Sequence, residues 1–316
     1  RPSGASLLGT EGAPTVLATP AGISIDMGSA PASPADLARA ENARRLAALS
    51  EKAGHTLAPT AAPVAASAVA APVDGTAVRP AAVGMPPATI GPNSLRLAAA
   101  NGDASAQFDV ALRFADGTGV PQDHVQAAEW LQRAASQGFA AAQYRLATAF
   151  ERGLGVAADP ARARAWYLRA AQSGNVKAMH NLAVLSANRE GAAPDYVAAI
   201  QWFNEAAERG LADSQFNLAI LIESGLGVPK DMALAYKWFA LAARSGDREA
   251  IRRRDALKAK LSRDELRDAE AAVASWRSKA VDLVTNDVRA AREAWKARAV
   301  AQPLPQPRPA AEPVTR

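Results

Sequence analysis

The sequence predicts an all-α fold: a right-handed α-solenoid of helix-turn-helix repeats, closed by helical caps and flanked by disordered tails. The prediction starts from tryptophan, which recurs every 36 residues at Trp130, Trp166, Trp202 and Trp238. Glycine and aspartate recur in the same register, at Gly119, Gly155, Gly191 and Gly227 and at Asp123, Asp159, Asp195 and Asp231. Self-similarity at a fixed period of this length is typical of repeat proteins whose units stack into a solenoid.

Each copy contains the pattern of two helices joined by a glycine turn. In the first copy, apolar residues at helical spacing predict helix A over about 106–115. A second apolar stripe around Trp130 predicts helix B, which Asp123 caps at its start and Gly138 ends. The predicted repeats are 103–138, 139–174, 175–210 and 211–246.

Partial copies are recognisable at both ends of the array. Residues 94–102 align with helix B but have Ser94 in place of the tryptophan, and "DREAIRRRDALKAKL" aligns with helix A at Ala250. We interpret both as half-repeat caps, so the predicted solenoid covers 91–262. A capping box at 262–265 begins a further helix, whose apolar residues continue at spacings of three and four through Trp276 to Leu283. Residues 263–299 are therefore a predicted helical extension.

The flanking segments have a different composition. Residues 1–90 contain no Phe, Trp or Tyr and are rich in Ala, Pro, Gly, Ser and Thr, which predicts a disordered linker. Within it, residues 33–53 predict one short helix, because Ser33 and Pro34 suit a helix start and Gly54 suits a helix end. The Pro-rich residues 300–316 predict a second disordered tail.

The glycine turn of the second copy, "GLGV" at 153–156, has two interpretations. A glycine-rich loop before a helix can hold phosphate, but a similar loop can also join two packed helices. The turn recurs as "GTGV" in the first copy and "GLGV" in the fourth, and no copy continues with the Gly-Lys-Ser/Thr step of a phosphate-binding loop. The sequence therefore favours a helix–helix turn and predicts no nucleotide or other cofactor.

Composition argues against several other classes. The 36 Lys and Arg against 31 Asp and Glu give a modest net charge of +5, so a nucleic-acid partner is not predicted. The absence of Cys excludes disulfides and thiolate chemistry, and three scattered His predict no metal site. Glu151 and Glu223 could be glycosidase carboxylates, but repeat duplication explains their equivalent positions. We therefore expect no catalytic residues and no enzymatic activity.

The sequence contains no apolar run long enough to span a membrane. Because the chain begins with Arg rather than Met, we expect a fragment or a mature product, with any membrane anchor outside this chain. Membrane attachment is then expected only through that anchor.

Residues 94–262 resemble the Sel-one-like repeat, a relative of the tetratricopeptide repeat. The resemblance rests on the pattern A-x-F/Y-x-L-A, followed by G-x-G-V-x-x-D, then A-x-x-W and A-A-x-x-G, from which the third copy departs with "REGA" at 189–192. It implies a right-handed solenoid with a concave face, and protein–protein scaffolding rather than catalysis. The structural residues of the pattern are the tryptophans, glycines and aspartates that recur in register.

Shorter segments carry a narrower resemblance. The segments "IGPNSLRLAAANGD", "AYKWFALAARSGD" and "RRDALKAKLSRDELRDAEAAVASW" are similar to the C-terminal, periplasmic part of alphaproteobacterial polar localization factors of the PodJ type. This implies a periplasmic location, as part of an inner-membrane protein, and a scaffold role at the cell envelope, in cell-pole localization or polarity. Two alternatives stay open: a regulatory binder that restrains an envelope signalling receptor, and a peptidoglycan-binding or peptidoglycan-active protein.

If the concave face binds a partner, the side of helix A opposite its apolar stripe should line it. These positions combine aromatic and polar side chains, which suits recognition of a protein or peptide, with peptidoglycan contacted only indirectly. His180 occupies the position that Phe108, Tyr144 and Phe216 hold in the other copies. The candidate residues are Phe108, Leu112, Tyr144, Arg145, Thr148, Glu151, His180, Asn181, Asn188, Phe216, Asn217 and Glu223.

Overall fold

The computed structural model describes residues 84–188 and 193–301, with side chains as far as residue 298. Within these ranges the regular structure is entirely helical, which confirms the predicted all-α fold. None of the described helices is both long and apolar enough to cross a membrane. The predicted linker helix at 33–53, Gly191 and nearly all of the two predicted disordered segments lie outside the described residues.

Paired helices follow one another along the chain and pack as a solenoid, in which each pair contacts the next. A 3-10 turn (Ala88–Ile90) and α1 (Asn93–Ala100) come first. The four pairs, each a helix A and a helix B, are α2 (Ala104–Asp116) with α3 (His124–Ser136), α4 (Ala140–Arg152) with α5 (Pro160–Gln172), α6 (Val176–Ala187) with α7 (Tyr196–Glu208), and α8 (Ala212–Ser224) with α9 (Met232–Ala242). They are followed by a 3-10 turn (Ala243–Ser245), α10 (Arg248–Lys258), α11 (Arg263–Ser275), α12 (Leu283–Asn286) and α13 (Val288–Ala301).

The described fold begins inside the segment predicted as a disordered linker. Ile90 is fully buried and belongs to the same hydrophobic cluster as Leu95 and Ala99 of α1. The Arg113 guanidinium donates to the Ile90 carbonyl at 2.9 Å, and Arg96 donates to the carbonyl of Pro86 at 2.8 Å. The prediction of disorder is therefore wrong for residues 86–90, because one buried isoleucine and two distant arginines fix a segment whose composition is otherwise that of a linker.

Each helix B begins at an aspartate that caps it. The Asp123 carboxylate accepts hydrogen bonds from the backbone N–H groups of Val125 and Gln126 at 2.9 and 3.0 Å. Asp159, Asp195 and Asp231 accept the equivalent bond from the residue three positions later, at 2.9, 3.0 and 2.8 Å. These bonds satisfy N–H groups that have no partner within the helix, so they fix where each helix B starts.

The tryptophans occupy the layer between neighbouring helices. Trp130, Trp166 and Trp238 are buried, whereas Trp202 is only partly buried and packs against both of the hydrophobic clusters that make up the core. One cluster extends from Ile90 to the middle of α6, and the other from the end of α6 to α11. The third repeat is therefore the place where the two clusters meet.

Three glutamines connect the helix A of the first, second and fourth repeats to the helix before it, a feature that the sequence analysis missed. Gln107 donates to the carbonyl of Ala99 at 3.1 Å, and Gln143 and Gln215 make the equivalent bonds at 3.2 and 3.1 Å. Each of these carbonyls also accepts a hydrogen bond from the backbone N–H of the glycine that follows the helix, so the glutamine amide adds a second bond in the interior. The sequence shows glutamine at the same position of three repeats, which could have indicated these bonds. In the third copy this position is Met179.

The second glycine of the turn lets adjacent repeats approach closely. A Cβ at Gly155 would overlap the carbonyl oxygen of His124, the first residue of the preceding helix B. Gly227 approaches Tyr196 in the same way, since its Cβ would lie 2.6 Å from the Tyr196 carbonyl carbon. The space beside the loop is filled by the backbone of the neighbouring repeat, so these glycines serve repeat packing.

The predicted helix through Trp276 to Leu283 is wrong in its second half. The capping box of Ser262 and Glu265 starts α11 as predicted, but the helix ends at Ser275, and Trp276 has extended backbone angles. The Trp276 ring packs on Trp238 with 6.5 Å between centroids, and the chain then turns back along the array. The apolar spacing therefore continues beyond the helix, because packing against an earlier repeat overrides local helix propensity.

Substitution of Gly155 by Ala should destabilise the protein far more than substitution of Gly174 by Ala. Both glycines have positive φ, +71° and +86°, so alanine at either site should cost on the order of 1–2 kcal/mol of backbone strain. Only Gly155→Ala adds a collision with the His124 backbone, which should cost roughly a further 1–3 kcal/mol. Urea unfolding of the two variants measures the difference, and equal losses would show that the loop does not set the repeat spacing.

Trp166→Ala should lower the free energy of unfolding by roughly 3–5 kcal/mol, the usual loss on truncating a buried aromatic side chain. The Trp166 ring is 4% exposed and carries the Arg169 guanidinium over its face at 4.6 Å. Val125→Ala is the control, because Val125 is 55% exposed on the first turn of α3 and its truncation should change stability little. Similar decreases in melting temperature in the two variants would show that the Trp166 side chain does not hold the neighbouring helices together.

Candidate functional site

The predicted inner-face residues divide into two groups in the structure. The partly exposed group consists of Tyr144, Arg145, Glu151, Asn181, Asn188 and Glu223. The buried group consists of Phe108, Leu112, Thr148, His180, Phe216 and Asn217. The prediction that the buried group lines an open face is wrong, since a partner cannot reach these side chains.

Aromatic pairing between the two helices of a repeat explains part of this burial. Tyr144 packs on Tyr167 with 5.9 Å between ring centroids, and His180 packs on Phe203 at 5.5 Å. Phe216 and Phe239 form the equivalent pair in the fourth repeat at 5.4 Å. Tyr144, His180 and Phe216 therefore face helix B of the same repeat, whereas the sequence analysis placed this position away from that seam. Phe108 instead packs on Phe139, which precedes helix A of the next repeat, with 5.4 Å between ring centroids.

Polar groups beside these rings are also engaged inside the fold. The Tyr167 hydroxyl lies 3.1 Å from Thr148 Oγ1 and donates to the Glu151 carboxylate at 2.6 Å. His180 Nδ1 lies 2.8 Å from the Ser214 hydroxyl of the next helix A. Through these bonds, Tyr167 and Ser214 hold the helix A side chains of the candidate surface from inside the fold. In the sequence, Tyr167 lies one repeat after Leu131 and one repeat before Phe203, and this large apolar position on helix B is the signal that could have identified it.

The two glutamates considered as a carboxylate pair have separate roles. Glu151 accepts the Tyr167 hydroxyl bond, whereas Glu223 forms an ion pair with Arg253 of α10 at 3.4 Å. Arg253 also binds Glu249 at 3.2 Å, so Glu223 ties the last repeat to the closing helix. Within the described residues, no group of three or more His, Asp or Glu side chains could hold a metal ion.

A segment beyond the repeats lies on the array, and we call residues 276–298 the strap. The strap runs opposite to the order of the repeats: Lys279 N–H donates to the Glu208 carbonyl of the third repeat at 2.7 Å. Asn286 then bonds the junction between the second and third repeats, accepting from Val176 N–H at 2.8 Å and donating to the Gly174 carbonyl at 3.2 Å. In return, the Asn175 side chain donates to the carbonyl of Thr285 at 2.6 Å.

The strap ends as a helix on the first repeat. Helix α13 packs on α1 and α2, with Ala291 and Trp295 buried in the core cluster of this end. Arg292 forms an ion pair with the nearly buried Asp109 at 2.8 Å, and the more exposed Arg298 forms one with Asp103 at 2.8 Å. The hydrogen bond to Asp103 raises the pKa of Arg298.

The acidic pair of Asp103, which precedes α2, and Asp109 on α2 is a feature that the sequence analysis did not single out. Asp103 also caps α2 by accepting from Ala106 N–H at 2.9 Å, and Asp109 also binds Arg113 at 3.2 Å. The available signal was a departure from the repeat. In the other copies, the residues equivalent to Asp103 are Phe139, Asn175 and Leu211. The residues equivalent to Asp109 are Arg145, Asn181 and Asn217.

Comparison with known proteins bears on the helix pairs but not on the strap. The Sel1 repeat model matches residues 104–139, 140–175, 176–211 and 212–247, one residue later than the predicted boundaries. A Sel1 repeat protein from Oxalobacter formigenes is 36% identical over 50% of this chain and 46% of its own, with a TM-score of 0.48. The protective antigen c5321 of uropathogenic Escherichia coli, which displays an SLR fold, is 21% identical over 67% of this chain and 59% of its own, with a TM-score of 0.31.

The chain spans about half the length of these two solved proteins, 46% of one and 59% of the other. No curated protein matches it significantly. The family model, however, matches each of the helix pairs α2–α3, α4–α5, α6–α7 and α8–α9 separately and in the observed register. Residues 104–247 therefore match the Sel1 repeat four times in succession, as the sequence pattern predicts.

Proposed function

We propose that this protein is a non-enzymatic protein-binding scaffold of the cell envelope, and that the helix A surface of the middle repeats receives a segment of its partner. Sel1 repeats are in general modules for protein–protein interaction. The observation that carries the proposal is the division of the helix A positions, in which some are used for packing and others remain partly exposed and differ between repeats.

The partly exposed positions offer chemistry suited to a peptide. Arg145 lies on α4, and Asn181 and Asn188 lie on and at the end of α6. Arginine is frequent among the anchors of protein interfaces, and asparagine amides can bond the backbone of a bound segment. Because α4 and α6 belong to rigid neighbouring repeats, a partner that contacts both is held at a fixed spacing.

The envelope location is the finer part of the proposal. It is supported by the similarity of three segments to periplasmic parts of polar localization factors and by the Ala- and Pro-rich composition that precedes the array. A role in cell-pole localization or polarity follows from the same similarity, with attachment to the inner membrane through a segment outside this chain. Peptidoglycan binding and restraint of a signalling receptor are treated as outcomes of the test.

A photoreactive amino acid at position 181 should crosslink one envelope protein in the native host. The matched control is position 132, since Gln132 is exposed on helix B of the first repeat, away from the proposed surface. The crosslinked protein should bind the purified chain, and Asn181→Arg should weaken that binding at least tenfold without lowering the melting temperature, whereas Gln132→Arg should change neither. Binding unaffected by Asn181→Arg would place the interaction on another surface.

Sedimentation with purified sacculi tests whether the chain binds peptidoglycan instead of a protein. The purified chain should stay in the supernatant when no other protein is present, because the proposal assigns its surface to a protein segment. Co-sedimentation with sacculi alone, lost in Asn181→Arg, would replace the protein partner by peptidoglycan.

A further inference from the structure

We propose that the end of the array around Asp103 and Asp109 is a docking site for a basic amphipathic helix of a partner protein, and that α13 is its displaceable internal occupant. The inference deepens the proposed scaffold function by adding a second site with defined chemistry. It uses the first repeat and α1, whereas the surface at Asn181 lies on the third repeat.

The geometry of the bound α13 defines what the site recognises. Arg292 pairs with Asp109 and Arg298 pairs with Asp103, so α13 runs antiparallel to α2. The two arginines and the two aspartates are both separated by six residues, which is about 9 Å along either helix at 1.5 Å per residue. Between the arginines, Trp295 supplies a buried aromatic anchor. A ligand helix therefore needs two cations six residues apart and an aromatic side chain between them.

Repeat packing does not require the acidic pair. Four Sel1 repeats fold with the same helix pairs, yet only the first has aspartate at both positions. The equivalent residues are Phe139, Asn175 and Leu211 for Asp103, and Arg145, Asn181 and Asn217 for Asp109. An acidic pair on one repeat, matched in spacing by arginines outside the array, indicates a site specific to that repeat.

The site should keep its shape when α13 leaves. Arg113 binds Asp109 from within α2 and donates to the carbonyl of Ile90, so it holds the carboxylate independently of the strap. Asp103 is fixed in the same way, because it caps α2. Both carboxylates therefore stay oriented for an incoming cation.

The fit of α13 leaves room for a better ligand. The Trp295 indole N–H is buried and has no hydrogen-bond partner, which weakens the docking of this helix. Arg298 is 58% exposed at its side chain, so water screens its ion pair with Asp103. A partner helix with phenylalanine at the aromatic position, or with an acceptor near the indole, avoids the first defect. Because α13 is tethered to α11, its effective concentration is high, so the partner helix has to bind more tightly than α13 does.

The test uses the full chain and a fluorescently labelled peptide of residues 284–301 as the probe. Arg292→Ala with Arg298→Ala weakens the internal helix and leaves the site residues intact. This double variant should bind the peptide at least tenfold more tightly than the unaltered chain does, and added salt should weaken the binding. A control peptide in which Glu replaces both arginines should not bind.

Several results would overturn the proposal. One is equal peptide affinity of the unaltered chain and the double variant; another is equal binding of the two peptides. A double variant that melts cooperatively yet binds no peptide would also exclude the site, as would binding that survives Asp109→Asn in a folded chain. If the unaltered chain forms a dimer and the peptide dissociates it, the site binds α13 of a second copy instead.

The outcome is separable from that of the proposed scaffold function. The peptide assay reports on Asp103 and Asp109 alone, whereas the crosslinking assay reports on the surface at Asn181. Failure of the peptide assay with successful crosslinking would remove the docking site and leave the scaffold in place. Failure of crosslinking with a positive peptide assay would leave the first repeat as the binding surface.

Discussion

The close approach of adjacent repeats at the glycine turn is the constraint on which the rest of the structure depends. Gly155 rests against the start of the preceding helix B, and the aspartate that caps each helix B fixes where that start lies. The distance between repeats then determines the width of the layer that each tryptophan fills and the reach of the glutamines that bond the preceding helix. The spacing between neighbouring repeats is therefore set by backbone contact, in which an added Cβ forces one of the two backbones to shift.

Positions that carry this geometry recur, whereas other positions on helix A differ between repeats. The aspartate caps, small alanines and tryptophans appear in every copy because each repeat must pack on its neighbours in the same way. Helix A positions 109, 145, 181 and 217 hold Asp, Arg, Asn and Asn, so the charge at this place changes along the array from negative to positive to neutral. A regular array thus becomes a surface with a particular order of charges, which is what recognition of one partner needs.

The strap changes which of those groups a partner can reach. Its Asn286 bonds the junction between the second and third repeats, and its helix α13 covers α2 of the first repeat. The first repeat is therefore covered, whereas Asn181 in the third remains partly exposed. Different parts of one solenoid thus differ in exposure, and the proposed ligand of the covered end has to compete with the chain's own helix.

The sequence by itself determined the helix pairs, their period, the aspartate caps, the glycine turns and the capping box at Ser262. These features depend on contacts within a few residues or on a pattern repeated along the chain, so they can be read locally. Tertiary structure alone decided which helix A side chains are buried and where the strap lies. His180 packs on a ring 23 residues away, and Asp109 binds an arginine 183 residues away. No local pattern links such residues, because their proximity arises only after the whole array has formed.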